Sequence, residues 1–186
     1  MPTDLRYGPG APLEAEARLL GPLAGKRVLV VGCADPDVPL ALAEQEAKVV
    51  AVDPDAGRLD AARAKADAAD VKVELHGVDF ADLAFVRADT IDAAVAVQSL
   101  ASVDDLDRIF RQVHRVLRSQ GPLVLSLPHP AAGLADGRSW FERSLAEVFT
   151  SLTRTSFGVD VLLEPVPAPG ARLPSTLVLR GRKLGL

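Results

Sequence analysis

The sequence predicts a doubly wound α/β fold, a mostly parallel seven-stranded sheet with helices on both faces and an antiparallel hairpin at its C-terminal end. Three observations predict it. Continuous apolar, β-branched runs such as Arg27-Val28-Leu29-Val30-Val31, set between Gly25 and Gly32, read as strands buried on both faces. Four such runs alternate with stretches of helix formers, and right-handed crossovers turn strand-helix units in series into a parallel sheet. The chain of 186 residues is 48% hydrophobic and 25% charged, the composition of a single globular domain large enough to bury its own core.

The elements follow in order. Pro12 suits the first turn of a helix running through Leu20, closed by Gly21-Pro22. The first strand, residues 27–31, leads into a helix to about Glu46, with Asp35 as its N-cap and Pro36 in its first turn. Residues 48–52 form a second strand ending at Asp53-Pro54, and residues 55–69 a helix of strong helix formers. Residues 71–75 and 91–97 read as strands three and four. Leu106, Ile109, Phe110, Val113 and Leu117 line one face of the next helix. Gly121-Pro122 stops it and starts strand five, residues 123–127. A Pro/Gly/His loop is expected over 128–138, a helix over 140–153, and two closing strands at 159–163 and 176–180. One domain covers 1–186: an N-terminal helical arm (1–24), a half with the first five strands (25–127) and a half with the closing hairpin (128–186).

Charge and composition narrow the partners. A formal net charge of -4 gives no long-range attraction for nucleic acid or an anionic membrane, and aromatics at 4% leave little with which to stack bases. No apolar run reaches the ~20 residues of a membrane span, and the start lacks a secretory layout, so a cytoplasmic protein acting on a small molecule is expected. The single cysteine, Cys33, forms no internal bridge, and no Cys/His spacing suggests a metal site. Oligomeric state is not legible.

In an open sheet of this type the ligand crevice lies beyond the carboxyl ends of the strands. The residues that arrive there are Gly32-Cys33-Ala34-Asp35, Asp53-Pro54, Asp79-Phe80 and Gln98-Ser99. A carboxylate at Asp53 can accept both hydroxyls of a ribose, and Asp79 can accept from an adenine amino group beside the Phe80 ring. Either aspartate can equally just begin a turn. His129, between two prolines at the end of strand five, is the best-placed histidine for a general base or a loop-structuring residue. His114 reads as a helix residue, His76 as a turn residue, Cys33 as a small buried side chain, and Trp140 with Phe141 as a packing anchor. No catalytic residue stands out.

The chain resembles the class I S-adenosylmethionine-dependent methyltransferases, in particular small-molecule enzymes of actinobacterial character. The resembling stretches are Tyr7-Gly8-Pro9, Leu19-Leu20-Gly21, Gly25 to Leu29, Val52-Asp53, Asp105 to Arg108, Val113 to Arg118, Gly121 to Val124, Leu162 to Pro165 and Leu177 to Lys183. The resemblance implies S-adenosylmethionine as cofactor. Gly32, Cys33 and Ala34 would hold its methionine part, Asp53 and Pro54 its ribose, Asp79 and Phe80 its adenine, and Gln98 and Ser99 would line the sulfonium pocket. Direct methyl transfer needs mainly in-line positioning, so a dedicated catalytic group is optional.

The chain departs from the family at two places. Where the family has an acidic residue followed by three spaced glycines, this sequence has Val30, Gly32, Ala34 and Pro36, with Asp35 and Asp37 placing negative charge at the helix start. The segment over the site, residues 128–141, is short, with Arg138 to Arg143 its resembling part, so an open cleft is expected. An inactive, methyltransferase-like binding module is the alternative reading. A nicotinamide enzyme fits less well, because the first turn carries no Gly-x-Gly-x-x-Gly.

Overall fold

The computed structural model describes residues 3–135, 143–165, 170 and 173–185. Its strands are β1 Arg27–Val31, β2 Lys48–Val52, β3 Val73–His76, β4 Ala93–Val97, β5 Pro122–Pro128, β6 Phe157–Leu163 and β7 Thr176–Lys183. They form one sheet in the order β3-β2-β1-β4-β5-β7-β6. β1 to β5 run parallel, and β7 enters antiparallel between β5 and β6. The expected doubly wound sheet with its antiparallel closing pair is therefore present. Order reverses between β1 and β4, which sets the carboxyl ends of these neighbours either side of a crevice.

The helices are α1 Glu14–Ala17, α2 Asp37–Glu44, α3 Ala56–Ala68, α4 Leu106–Val116, α5 Pro130–Ala135 and α6 Leu145–Arg154. Two apolar layers hold the sheet. One packs Leu29, Val31, Ala94 and Ala96 against Phe110, Val113, Leu152 and Phe157; the other packs Val28, Val30, Val49 and Val95 against Leu42, Leu59 and the arm residues Leu5 and Tyr7. Alternate residues of each strand face opposite layers, which is why the central strands are apolar throughout.

Several expectations need correction. The first helix spans only Glu14–Ala17, because Arg18 turns left-handed at φ 49° and ends it. α2 starts at Asp37 with Pro36 at the N-cap and no side-chain cap; Asp35 instead accepts the Asp37 N–H at 2.9 Å in a local turn. β3 starts at Val73 and takes in His76, whose ring stacks on Phe85 with centroids 4.0 Å apart. Ile91 only bridges to Leu117 ahead of β4. The expected loop after β5 contains α5, a propensity that its run of alanines carries beside Pro130. α6 starts at Leu145, where Ser144 and Glu147 form a capping box. Trp140 and Phe141, with residues 136–142, lie outside the described residues.

Candidate functional site at the carboxyl edge of the sheet

The chain leaves β1 at Gly32, whose φ of 92° suits glycine and whose N–H donates to Val52 O at 2.8 Å. A Cβ here would stand 2.3 Å from Ser99 Cβ and 3.5 Å from the Phe80 ring. Ser99 is drawn in because its hydroxyl donates to Val31 O at 2.5 Å. Gln98 makes this approach by adopting φ 55° as β4 ends, while its N–H donates to Ser126 O and its side-chain amide to the Ser126 hydroxyl at 3.3 Å.

Asp53 closes β2 and ties it to both neighbours. Its N–H donates to His76 O of β3, and its Oδ2 accepts the Cys33 N–H at 2.7 Å. Oδ1 accepts the Asp55 N–H at 2.8 Å, starting the turn from which α3 grows. The residue is fully buried, and the half-exposed Arg58 guanidinium lies 3.7 Å from Oδ2. Cys33 is buried beside it; burial first, then the Asp53 charge, push the thiol up to about 12 against the opposing pull of Arg58.

The structure thus brings Gly32, Cys33, Asp53, Phe80 and Ser99 together. Asp79 adjoins Phe80 but is exposed, with one oxygen accepting the Ala81 N–H at 2.8 Å. Pro54 and Ala34 are exposed, and Gln98 is half-buried. His129 has both ring nitrogens committed. Nδ1 accepts the Ala131 N–H at 3.2 Å, which leaves the proton on Nε2, and that nitrogen meets Glu164 at 3.1 Å. With its lone pair taken, it straps the end of β5 to the end of β6 and is not disposed as a base.

The N-terminal arm supplies residues that sequence reasoning missed. Glu14 is buried and accepts from the Tyr7 hydroxyl and from the N–H groups of Leu19, Leu20 and Gly21, at 2.6 to 3.1 Å. This carboxylate folds the arm onto itself. Gly8 then lies so close to Gln98 that a Cβ would fall 2.8 Å from the amide nitrogen, and the Pro9 carbonyl accepts from Ser175 and Thr176 at the start of β7. On a helix of four residues, Glu14 carries no sequence mark that separates it from the exposed Glu16. Where the arm passes β6, residues 10–12 and 162–165 with Glu16 line a groove of about 740 Å³. It lies on the carboxyl side of the sheet because β6 runs parallel to β5.

Among the described residues no helix is long and apolar enough to cross a membrane. The sequence model of the methyltransferase domain matches residues 28–121, from β1 to the start of β5. A ubiquinone biosynthesis O-methyltransferase of Azorhizobium caulinodans is 30% identical over 111 residues, which are 60% of this chain and 44% of that protein. The chain therefore spans under half the length of this relative. Among solved structures, an S-adenosylmethionine-dependent methyltransferase of Mesorhizobium loti superposes with a TM-score of 0.73 at 22% identity, over 91% of this chain and 96% of the other. The geranyl diphosphate C-methyltransferase of Streptomyces coelicolor A3(2), solved with S-adenosyl-L-homocysteine, gives 0.74 at 13% identity, over 92% and 77%. With half of its length matched, the chain belongs to the methyltransferase domain family, whose methyl donor is S-adenosylmethionine.

Proposed function

We propose that this protein transfers a methyl group from S-adenosylmethionine to a small molecule. The observation that carries the reading is the meeting at one point of the ends of β1, β2 and β4 with the loop after β3: Cys33 N–H on the Asp53 carboxylate, and Ser99 and Phe80 against Gly32. The nucleoside end of the donor is matched by these residues. Each Asp53 oxygen accepts one backbone N–H and keeps a second lone pair for a ribose hydroxyl, once the half-exposed Arg58 side chain swings aside. Phe80 offers an apolar edge to adenine and Asp79 a carboxylate oxygen to its amino group.

When bound, the donor supplies a sulfonium-activated methyl group. The chain's part is to hold donor and acceptor in line and to exclude water, which is the larger share of such a reaction. Gln98 and Ser99 are the proposed lining of the sulfonium pocket, both fixed by hydrogen bonds to neighbouring strands. The arm covers Gln98 through Gly8, and the groove of about 740 Å³ beside it has a volume suited to a small acceptor. Its Leu162 and Leu163 floor beside Glu16 and Glu164 favours an acceptor with an apolar body and a polar or cationic end.

Calorimetric titration with S-adenosylhomocysteine tests the reading, followed by transfer of labelled methyl from S-adenosylmethionine to a panel of small hydroxyl, amine and carbon acceptors. Saturable one-to-one binding with label transfer is expected. No heat and no thermal shift at millimolar ligand would overturn it, because a native-state ligand at a hundredfold excess over its Kd adds ~2.7 kcal/mol.

A further inference from the structure

We infer that Asp35 anchors the amino-acid tail of the donor: its carboxylate takes the tail's ammonium group, while the N–H groups of Ala34 and Asp35 receive the tail's carboxylate. The inference rests on the methyltransferase reading above and assigns the residue that reads the zwitterionic end of the donor.

The loop between β1 and α2 has few groups left for a ligand. The Gly32 N–H goes to Val52 O, the Cys33 N–H to Asp53, the Asp37 N–H to the Asp35 carboxylate and the Val38 N–H to Asp35 O. Pro36 and Pro39 have no N–H to give. Among the described residues this leaves the N–H groups of Ala34 and Asp35, two consecutive donors without a hydrogen bond. They stand just ahead of α2, whose positive end adds to their attraction for an anion.

Two carboxylates flank these donors, and their situations differ. Asp37 pairs with Lys65. Asp35 is half-buried, engages no ion pair among the described residues, and spends only Oδ1, on the Asp37 N–H at 2.9 Å. Its Oδ2 and its charge are unmatched. Such a carboxylate opposes the arrival of a simple anion, but a zwitterion carries its ammonium and its carboxylate on one carbon. The loop offers the complement of that pair, a charged acceptor and two donors on two consecutive residues. The sheet side supplies no rival acid, since Val30 is fully buried in the apolar layer with Leu42.

Calorimetric titrations with two probes test the assignment: S-adenosylhomocysteine, which carries the zwitterionic tail, and 5′-deoxy-5′-methylthioadenosine, which keeps the nucleoside and the sulfur but ends in a methyl group. Asp35→Asn removes the charge and keeps an oxygen for the Asp37 N–H. In this variant the Kd for S-adenosylhomocysteine is expected to rise by about fivefold or more, the loss of a hydrogen bond between charged groups, with that for the methylthio compound unchanged, which also shows that the nucleoside site is folded. Asp37→Asn, whose charge is already met by Lys65, should leave the ratio of the two Kd values as it is in the unmodified protein. A smaller rise in Asp35→Asn, an equal rise for both probes, or the same selective loss in Asp37→Asn would overturn the inference and leave the methyltransferase reading intact. Absence of binding by both probes to the unmodified protein would overturn both.

Discussion

Asp53 Oδ2 accepts the backbone N–H of Cys33 at 2.7 Å, twenty residues away in sequence, and this bond fastens the end of β2 to the loop that leaves β1. The same carboxylate starts α3 through the Asp55 N–H. One buried side chain therefore sets both the loop and the helix that flank the crevice, before any ligand is considered.

Replacing Asp53 with alanine removes the partner of two N–H groups, one of them buried. An unsatisfied buried donor costs ~1–3 kcal/mol, so a loss of about 3 kcal/mol is expected in urea denaturation, and Asp53→Asn should lose less because one oxygen remains. A change below 0.5 kcal/mol for Asp53→Ala would contradict the clasp.

Gly32 and Gly21 both hold positive φ, at 92° and 73°, yet they should respond differently to alanine. Nothing lies within 4 Å of a Cβ on Gly21, so only the left-handed backbone resists, at ~1–2 kcal/mol. On Gly32 the Cβ also meets Ser99 at 2.3 Å, and the sheet ends must part. Gly32→Ala is expected to lower Tm by about 10 °C, at ~2–4 °C per kcal/mol for a chain of this size, and at least twice as much as Gly21→Ala.

The arm depends on Glu14. Glu14→Ala strands three backbone N–H groups and the Tyr7 hydroxyl, and should release the arm to limited proteolysis ahead of the rest of the domain. Glu14→Gln keeps an acceptor and should fall between the two. Cleavage unchanged from wild type in the alanine variant would show that the arm is held by its apolar contacts alone.

Cys33 should be silent in the native state. Its thiol is raised by burial and by Asp53 from 9.0 to about 12. Since the folded value lies above the unfolded one, its stabilising contribution is complete below about pH 9 and is withdrawn as pH climbs towards 12. Tyr7, held well above its usual value by burial and then by Glu14, acts in the same direction above pH 10. Reaction with a disulfide reagent at pH 8 should therefore be negligible until urea exposes the thiol, and Cys33→Ala should flatten the decline of stability between pH 9 and 11. Rapid native labelling would refute the burial argument.

The strands were the legible part of this protein. The run from Arg27 to Val31 and the run from Lys48 to Val52 can be read because a strand covered on both faces must be apolar along its length, and glycine or aspartate must punctuate it. The α4 periodicity was legible for a similar reason, since one face alone is buried. The same local rules placed Gly32, Asp53, Phe80 and Ser99 at strand ends and so on one edge of the sheet.

What those residues do to one another was decided by the fold. That Asp53 spends both oxygens on the chain's own N–H groups, that Ser99 fills the space before Gly32, that His129 faces Glu164 and that Glu14 is the buried anchor of the arm all depend on partners far apart in sequence. Local pattern fixes which face of an element is apolar, because burial repeats with the period of the element. Hydrogen-bond pairing between separate strand ends has no period, and only the assembled sheet sets it.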